Sequence, residues 1–120
     1  MKQIKDVKDL QKGGPYSHSV IFNDLIFVSG QTGQVTGKKN IFREQFENAI
    51  NNISLILKEN GTTLDNVLKV TVYLSDASFF KEMNDLFSKH FPKNPPARTT
   101  VVTKFVVPDV LVEIDVIASK

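Results

Sequence analysis

The sequence predicts an α+β fold, ββαβαββ in order, with a mixed sheet and two helices packed on one face. Three observations lead there. Apolar residues run or alternate in five short stretches and recur every three or four positions in two longer ones. Each longer stretch follows a single strand, which implies a crossover, and crossovers of one hand put both helices on one side of the sheet. A chain of 120 residues with 41% hydrophobic content is enough for one contiguous core, hence a single domain over residues 1–120. A chain this small still leaves much apolar surface uncovered, so one face suits burial against another subunit.

The first two strands come from "SVIFNDLIFVSG", a β-hairpin from Ser17 to Ser29. Its two apolar runs are separated by Asn23-Asp24, residue types that tolerate left-handed backbone. "QTGQVTGKK" is a loop punctuated by Gly33 and Gly37, with Lys38 and Lys39 exposed. From Asn40 to Asn60 the residues Phe42, Phe46, Ala49, Ile50, Ile53, Ile56 and Leu57 recur at helical spacing, with Asn40 as N-cap and Asn60-Gly61 as the stop. "NVLKVTVYLSD" returns to period two, placing Leu68, Val70, Val72 and Leu74 on one face and Lys69, Thr71 and Tyr73 on the other. Ser78 is expected to cap a second helix whose stripe is Phe79, Met83, Leu86, Phe87 and His90, ended by Pro92. "KNPPARTTVVTKF" and "DVLVEIDVIASK" supply the last two strands, joined through Val106-Val107-Pro108. In the final strand Val110, Val112, Ile114, Val116 and Ala118 make a face for the helices to cover. Leu111, Glu113, Asp115 and Ile117 make a mixed face that suits the inner surface of an oligomer.

Composition narrows the chemistry. There is no cysteine, which excludes disulfides, thiolate metal sites and thiol nucleophiles, and His18 and His90 are too few for a multi-histidine zinc site. Metal-free, cofactor-free chemistry is expected. The N-terminus carries mixed charge and no apolar h-region, and nowhere do about 18 apolar residues run together, so a soluble cytoplasmic protein with no membrane contact is expected. A formal net charge of +2, with both signs scattered along the chain, is too diffuse for a nucleic-acid footprint.

Few side chains are left to act on a small molecule. Period two puts Arg98, Thr100 and Val102 on one face of their strand. Arg98 admits two readings: an ion pair with Glu113 or Asp115, or a carboxylate clamp whose two parallel donors are held by rigid Pro95-Pro96. Glu113 and Asp115 share a face two residues apart and could serve as general base and partner, or simply pair with cations. In "GGPYSHS" the Gly-Gly-Pro turn fixes how Tyr16 leaves it, toward a ligand or as a plug over a sheet edge; His18 reads as a base or as a hydrogen-bonded structural residue. "VSGQTG" lacks any phosphate-loop pattern, and Gly30 after an apolar strand suggests close approach of a ligand or another backbone. Asn84, on the polar flank of the second helix, reads as an ordinary surface residue.

Taken together, "GPYS" at Gly14 to Ser17, "VSGQTG" at Val28 to Gly33, "PPARTTV" at Pro95 to Val101 and "VEIDVIA" at Val112 to Ala118 resemble the RidA/YjgF family over nearly the whole chain. These are the reactive-intermediate deaminases once labelled endoribonuclease L-PSP. The resemblance implies a chorismate-mutase-like fold and a homotrimer with ligand clefts between adjacent subunits. It implies that Arg98 grips the carboxylate of a small imino acid and that Tyr16 matches the tyrosine of the family's G-P-Y motif. Ser29, Gly30 and Gln31 would bring their backbone to the ligand, and Asn84 lies where the family has an asparagine in its second helix. The implied activity is hydrolysis of 2-enamine and 2-imine acids, such as 2-aminoacrylate and 2-iminopropanoate, to 2-keto acids and ammonia.

The chain departs from the family's pattern at three positions. The glutamate that orients or activates water is matched here by Asp115, shorter by one methylene; a misplacement of about 1 Å can cost roughly 100-fold in rate. His18 replaces the usual glutamine, and Thr100 replaces a frequent cysteine two residues after the arginine. Two other readings stand beside deamination. One is a small-carboxylate-binding regulatory or moonlighting protein with little catalysis. The other is an endoribonuclease or translation inhibitor, which gains little from His18 and His90 on separate elements with no basic cluster.

Overall fold

A computed structural model describes residues 1–35, 37–38 and 40–120. The expected exposure of Lys39 lies outside the described residues. The strands are β1 (Gln3–Lys5), β2 (Ser19–Phe22), β3 (Leu25–Thr32), β4 (Val67–Leu74), β5 (Ala97–Val102) and β6 (Val112–Ser119), and the helices are α1 (Phe42–Glu59) and α2 (Phe80–His90). They form one six-stranded sheet in the order β1-β2-β3-β6-β4-β5. Only β4 and β5 pair in parallel; the other neighbours are antiparallel. The α+β, mixed-sheet expectation therefore holds, with one strand more than predicted. β1 escaped notice because its three residues, all exposed, show no apolar alternation.

The slot between β3 and β4 is filled by the last strand, and this explains the sequence of β6. Flanked on both sides, it alternates strictly between buried and half-buried residues from Val112 to Ser119. Val112, Ile114, Val116 and Ala118 join Val70, Val72 and Leu74 of β4 in one core with Phe46, Ile50, Ile53 and Leu57 of α1 and Met83, Leu86 and Phe87 of α2. Both helices thus cover the same face. The opposite face, bearing Thr71, Tyr73, Glu113, Asp115 and Ile117, is half-buried and has no layer of secondary structure over it.

Two bulges alter the expected register. In β4 Val67 pairs with Ala118 and Lys69 with Ile117, so Leu68 is the extra residue. Leu68 turns outward, 49% exposed, and Val67 takes the core position assigned to it. In β3 Val28 pairs with Val116 but Gln31 with Ile114, three steps against two. The bulge lets Val28 and Gln31 both face the helices while Ser29-Gly30 is re-aimed toward the open face. The strand runs on to Thr32, two residues into the predicted loop.

The hairpin turn falls at Asn23-Asp24, with Asn23 at φ +55°. The stop of α1 is also as read: Asn60 closes the helix, and Gly61 at φ +77° lets its N–H reach the Lys58 carbonyl. The N-caps differ. Asn40 does not cap α1; Ile41 occupies the cap position without a side-chain bond, and Asn40 Nδ2 donates to Asp109 Oδ1 instead. Ser78 does not cap α2 either. Asp76 accepts from the Ser78 N–H, nucleating a 3-10 turn over Ala77–Phe79 that leads into the helix.

Gly33 does more than punctuate a loop, because it sits under α1: a Cβ there would overlap the Gln45 carbonyl oxygen, which is backbone and cannot yield cheaply. Gly33→Ala is expected to destabilise the fold by about 3 kcal/mol, read as a lower urea midpoint at unchanged m. Among the described residues no helix is long and apolar enough to cross a membrane.

Candidate functional site

The candidate residues gather in two groups on opposite faces of the sheet. The first is on the open face. The β3 bulge presents Ser29 and Gly30, and the turn after Gly13-Gly14-Pro15 presents Tyr16; with Glu113 of β6 they line a depression of about 290 Å³. A Cβ on Gly30 would lie 2.5 Å from Glu113 Oε2. The close approach expected at Gly30 is thus made by a side chain of the same protein, the Glu113 carboxylate, rather than by another backbone. The depression's local bonds are internal: Ser29 Oγ donates to the Ser17 carbonyl at 2.6 Å, and the Tyr16 hydroxyl accepts from the Gly13 N–H at 2.9 Å. Gln31 does not line the depression. Its side chain is buried toward the helices, and Nε2 donates to the Ser29 carbonyl.

Asp115 stands apart from this depression. Its neighbour is Tyr73, whose hydroxyl donates to Asp115 Oδ2 at 3.0 Å. Glu113, not Asp115, is therefore the acidic residue beside Tyr16, Ser29 and Gly30. Burial pushes the Glu113 carboxyl above its ordinary pKa, and the charge of Asp115 adds to the rise. Sequence reasoning missed this assignment because it depends on which β6 residue meets the bulge, a long-range register that no local pattern carries.

The second group lies under α2. Asn94 takes φ +48° just before Pro95-Pro96, turning the chain into β5. Arg98 then pairs with Val70 and Thr100 with Val72, both core-facing positions, so both side chains point to the helix face. The ion-pair reading of Arg98 fails for that reason: Glu113 and Asp115 pair with Tyr73 and Thr71 on the other face, and among the described residues Arg98 has no carboxylate partner. Its guanidinium carbon sits 4.8 Å from the Phe87 ring centroid and 5.9 Å from that of Phe80, and Nη1 donates to Met83 Sδ at 3.5 Å. Ring faces and a thioether hold the charge without consuming its strong donors. Burial lowers the Arg98 pKa. Thr100 Oγ1 is buried and has no hydrogen-bond partner among the described residues. Asn84 is half-buried on α2, next to Met83, and its carbonyl accepts from Ser88 Oγ. Phe80 was not foreseen; the predicted stripe took Phe79 instead.

The histidines fall outside both groups. The His18 ring is buried, with Nδ1 accepting from the Val7 N–H at 2.9 Å, so it pins the N-terminal arm. His90 Nε2 lies 2.7 Å from Glu47 Oε2, a link between the two helices. Neither is placed to act with the other. Among the described residues no cluster of three or more His, Cys, Asp or Glu could hold a metal ion.

A family model described as endoribonuclease L-PSP matches residues 7–120. A RutC family protein of Pyrococcus abyssi is 41% identical over 113 residues, covering 89% of this chain and 87% of that protein. Reactive Intermediate Deaminase A, the chloroplastic protein of Arabidopsis thaliana, is 36% identical over 110 residues, covering 88% of this chain and 59% of that protein. Among solved structures, YyfA of Yersinia pestis, a protein of unknown function in the conserved Rid family, superposes with a TM-score of 0.89 at 31% identity, covering all of both chains.

Proposed function

The chain belongs to the RidA/YjgF family, the endoribonuclease L-PSP family of the matching model, and from that premise we propose that it hydrolyses small 2-imino and 2-enamine acids to 2-keto acids and ammonia. The observation that carries the proposal is Arg98: a half-buried guanidinium with no carboxylate partner among the described residues, held by aromatic faces with strong donors to spare. Such a group suits a small carboxylate ligand. The orphaned Thr100 hydroxyl, on the same face of β5, supplies a further donor.

Because Arg98 and Glu113 lie on opposite faces of one sheet, a single chain cannot bring both to one ligand. The reading therefore needs a second copy, whose helix face of β5, with Arg98, Thr100 and Asn84, meets the open-face depression of the first. A homotrimer with clefts between adjacent subunits satisfies this.

In that cleft the imino acid's carboxylate binds Arg98. Glu113 in its ionised form takes a proton from a water molecule as the oxygen attacks the C=N carbon and passes that proton to the imine nitrogen, giving a neutral carbinolamine. Glu113, ionised again, takes the proton of the carbinolamine hydroxyl and delivers it to the amine nitrogen; the C–N bond breaks as the C=O bond forms, and ammonia leaves a 2-keto acid. A raised carboxyl pKa suits a group that must both accept and return a proton. The imine is already electrophilic, so positioning supplies much of the rate. Asp115 takes no direct part here, unlike in the expectation drawn from the motif alone.

The name of the Arabidopsis relative supports the activity. The endoribonuclease reading is less well supported, since His18 is sequestered and His90 is tied to Glu47. To test the proposal, 2-aminoacrylate would be generated in situ by a serine-acting dehydratase and pyruvate formation followed with and without the protein. Acceleration is expected. Saturable binding of pyruvate or other 2-keto acids with no acceleration would favour a carboxylate-binding regulator.

A further inference from the structure

We propose that Tyr73 and Asp115 form a charge-setting pair that fixes the proton affinity of Glu113, Tyr73 acting as a positioning residue for Asp115. The inference rests on the reading of Glu113 as the carboxylate that activates water. It begins from a mismatch in the sheet. Tyr73 of β4 is directly opposite Glu113 of β6, and Thr71 is opposite Asp115. The Tyr73 hydroxyl nevertheless passes over its own partner and donates diagonally to Asp115 Oδ2 at 3.0 Å. Diagonal neighbours across an antiparallel pair are within reach of a tyrosine.

This choice leaves the two carboxylates unequal. Asp115 receives a hydrogen bond that fixes where its carboxylate sits. Glu113 receives no donor among the described residues, although two depressions flank it: one with Tyr16, Ser29 and Gly30, the other, of about 250 Å³, with Thr32, Tyr73, Thr103 and Lys104. The titratable groups around Glu113 are few. Tyr16 faces it from the N-terminal turn, Tyr73 from β4, Asp115 along its own strand and Lys104 from the β5–β6 connection; Lys104 makes no ion pair with it. Glu113 thus experiences a fixed like charge on a half-buried surface with no compensating donor.

The electrostatics run in the same direction. Burial first and Asp115 second raise the pKa of Glu113, and the bond to Asp115 is the largest cause of a raised Tyr73 phenol. A like charge penalises ionisation, so removing it must make Glu113 a stronger acid. Asp115 thus adds to burial in raising the proton affinity of the water-activating group.

The direct test is a carbon NMR titration of the Glu113 side-chain carboxyl in the folded full chain, comparing wild type with Asp115→Asn and Asp115→Ser. The midpoint is expected to move to lower pH in either variant that folds, and the ascending limb of the kcat/KM profile to move with it. An unmoved midpoint in a folded variant overturns the proposal. Tyr73→Phe completes a double-mutant cycle: without its tether, Asp115 should exert less of its effect, so Asp115→Asn should shift the midpoint by less in that background. A shift of the same size would overturn the positioning role of Tyr73. If the midpoint falls while wild type hydrolyses no imine, the charge-setting pair stands and the deaminase reading alone fails.

Discussion

Arg98→Ala is expected to abolish most of the imine hydrolysis while leaving the fold intact. Truncating one partner of a desolvated, hydrogen-bonded charge pair costs about 2–5 kcal/mol, which corresponds to roughly 30-fold to several thousand-fold in kcat/KM. The loss should appear whether it is expressed in KM or kcat, because the carboxylate anchors the substrate in both ground and transition states. Arg98→Lys should rescue little: a lysine offers a point charge in place of two parallel donors, and its ammonium does not lie flat against Phe87 and Phe80. Stability separates this outcome from a structural one. With no ion pair to break among the described residues, Arg98→Ala forfeits aromatic contacts worth about 0.5–2 kcal/mol and relieves the burial of a charge, so the urea midpoint should change little. A variant that keeps full activity would remove the carboxylate clamp, and one that unfolds would mark Arg98 as a structural residue.

What the sequence made legible was whatever depends on local period. The alternation of β6 separated Ile114 and Val116 from Glu113 and Asp115 correctly, and the helical spacing of α1 found Phe46, Ile50 and Ile53. What it hid depends on pairing between distant segments. Leu68 was placed in the core because period two continues smoothly through it; only the partner strand shows that one residue is extra. Likewise, Asp115 and Glu113 are indistinguishable in "VEIDVIA" until the β3 bulge brings Gly30 under one of them. The caps failed for another reason. Asn40 and Ser78 both have the right chemistry, but Asn40 bonds the distant Asp109 and Asp76, two residues earlier, takes the capping role from Ser78. The face on which Arg98 lies is likewise a matter of pairing: its strand places it away from both Glu113 and Asp115, which removes the ion-pair reading.

That separation of faces makes the second large prediction unusual. Glu113→Gln alone should lower the rate by about 100- to 10,000-fold, the usual contribution of a positioned proton-transfer group, since an amide cannot accept the water proton. Arg98→Ala alone should be similarly poor. Mixed in equal amounts and allowed to exchange subunits, however, the two inactive proteins should recover activity. The proposed cleft takes arginine from one chain and glutamate from its neighbour, so in a randomly mixed cyclic oligomer about a quarter of such clefts would contain both intact. Joining the two substitutions in one chain and mixing it with Arg98→Ala protein should recover nothing, because no chain then pairs an intact Arg98 with a neighbour's Glu113. Pyruvate formation from 2-aminoacrylate before and after exchange measures this directly. Recovery would require that the two groups act from different chains, as the opposite faces of the sheet demand. Failure to recover after verified exchange would mean that Arg98 and Glu113 serve no common ligand, and the proposed cleft would have to be abandoned.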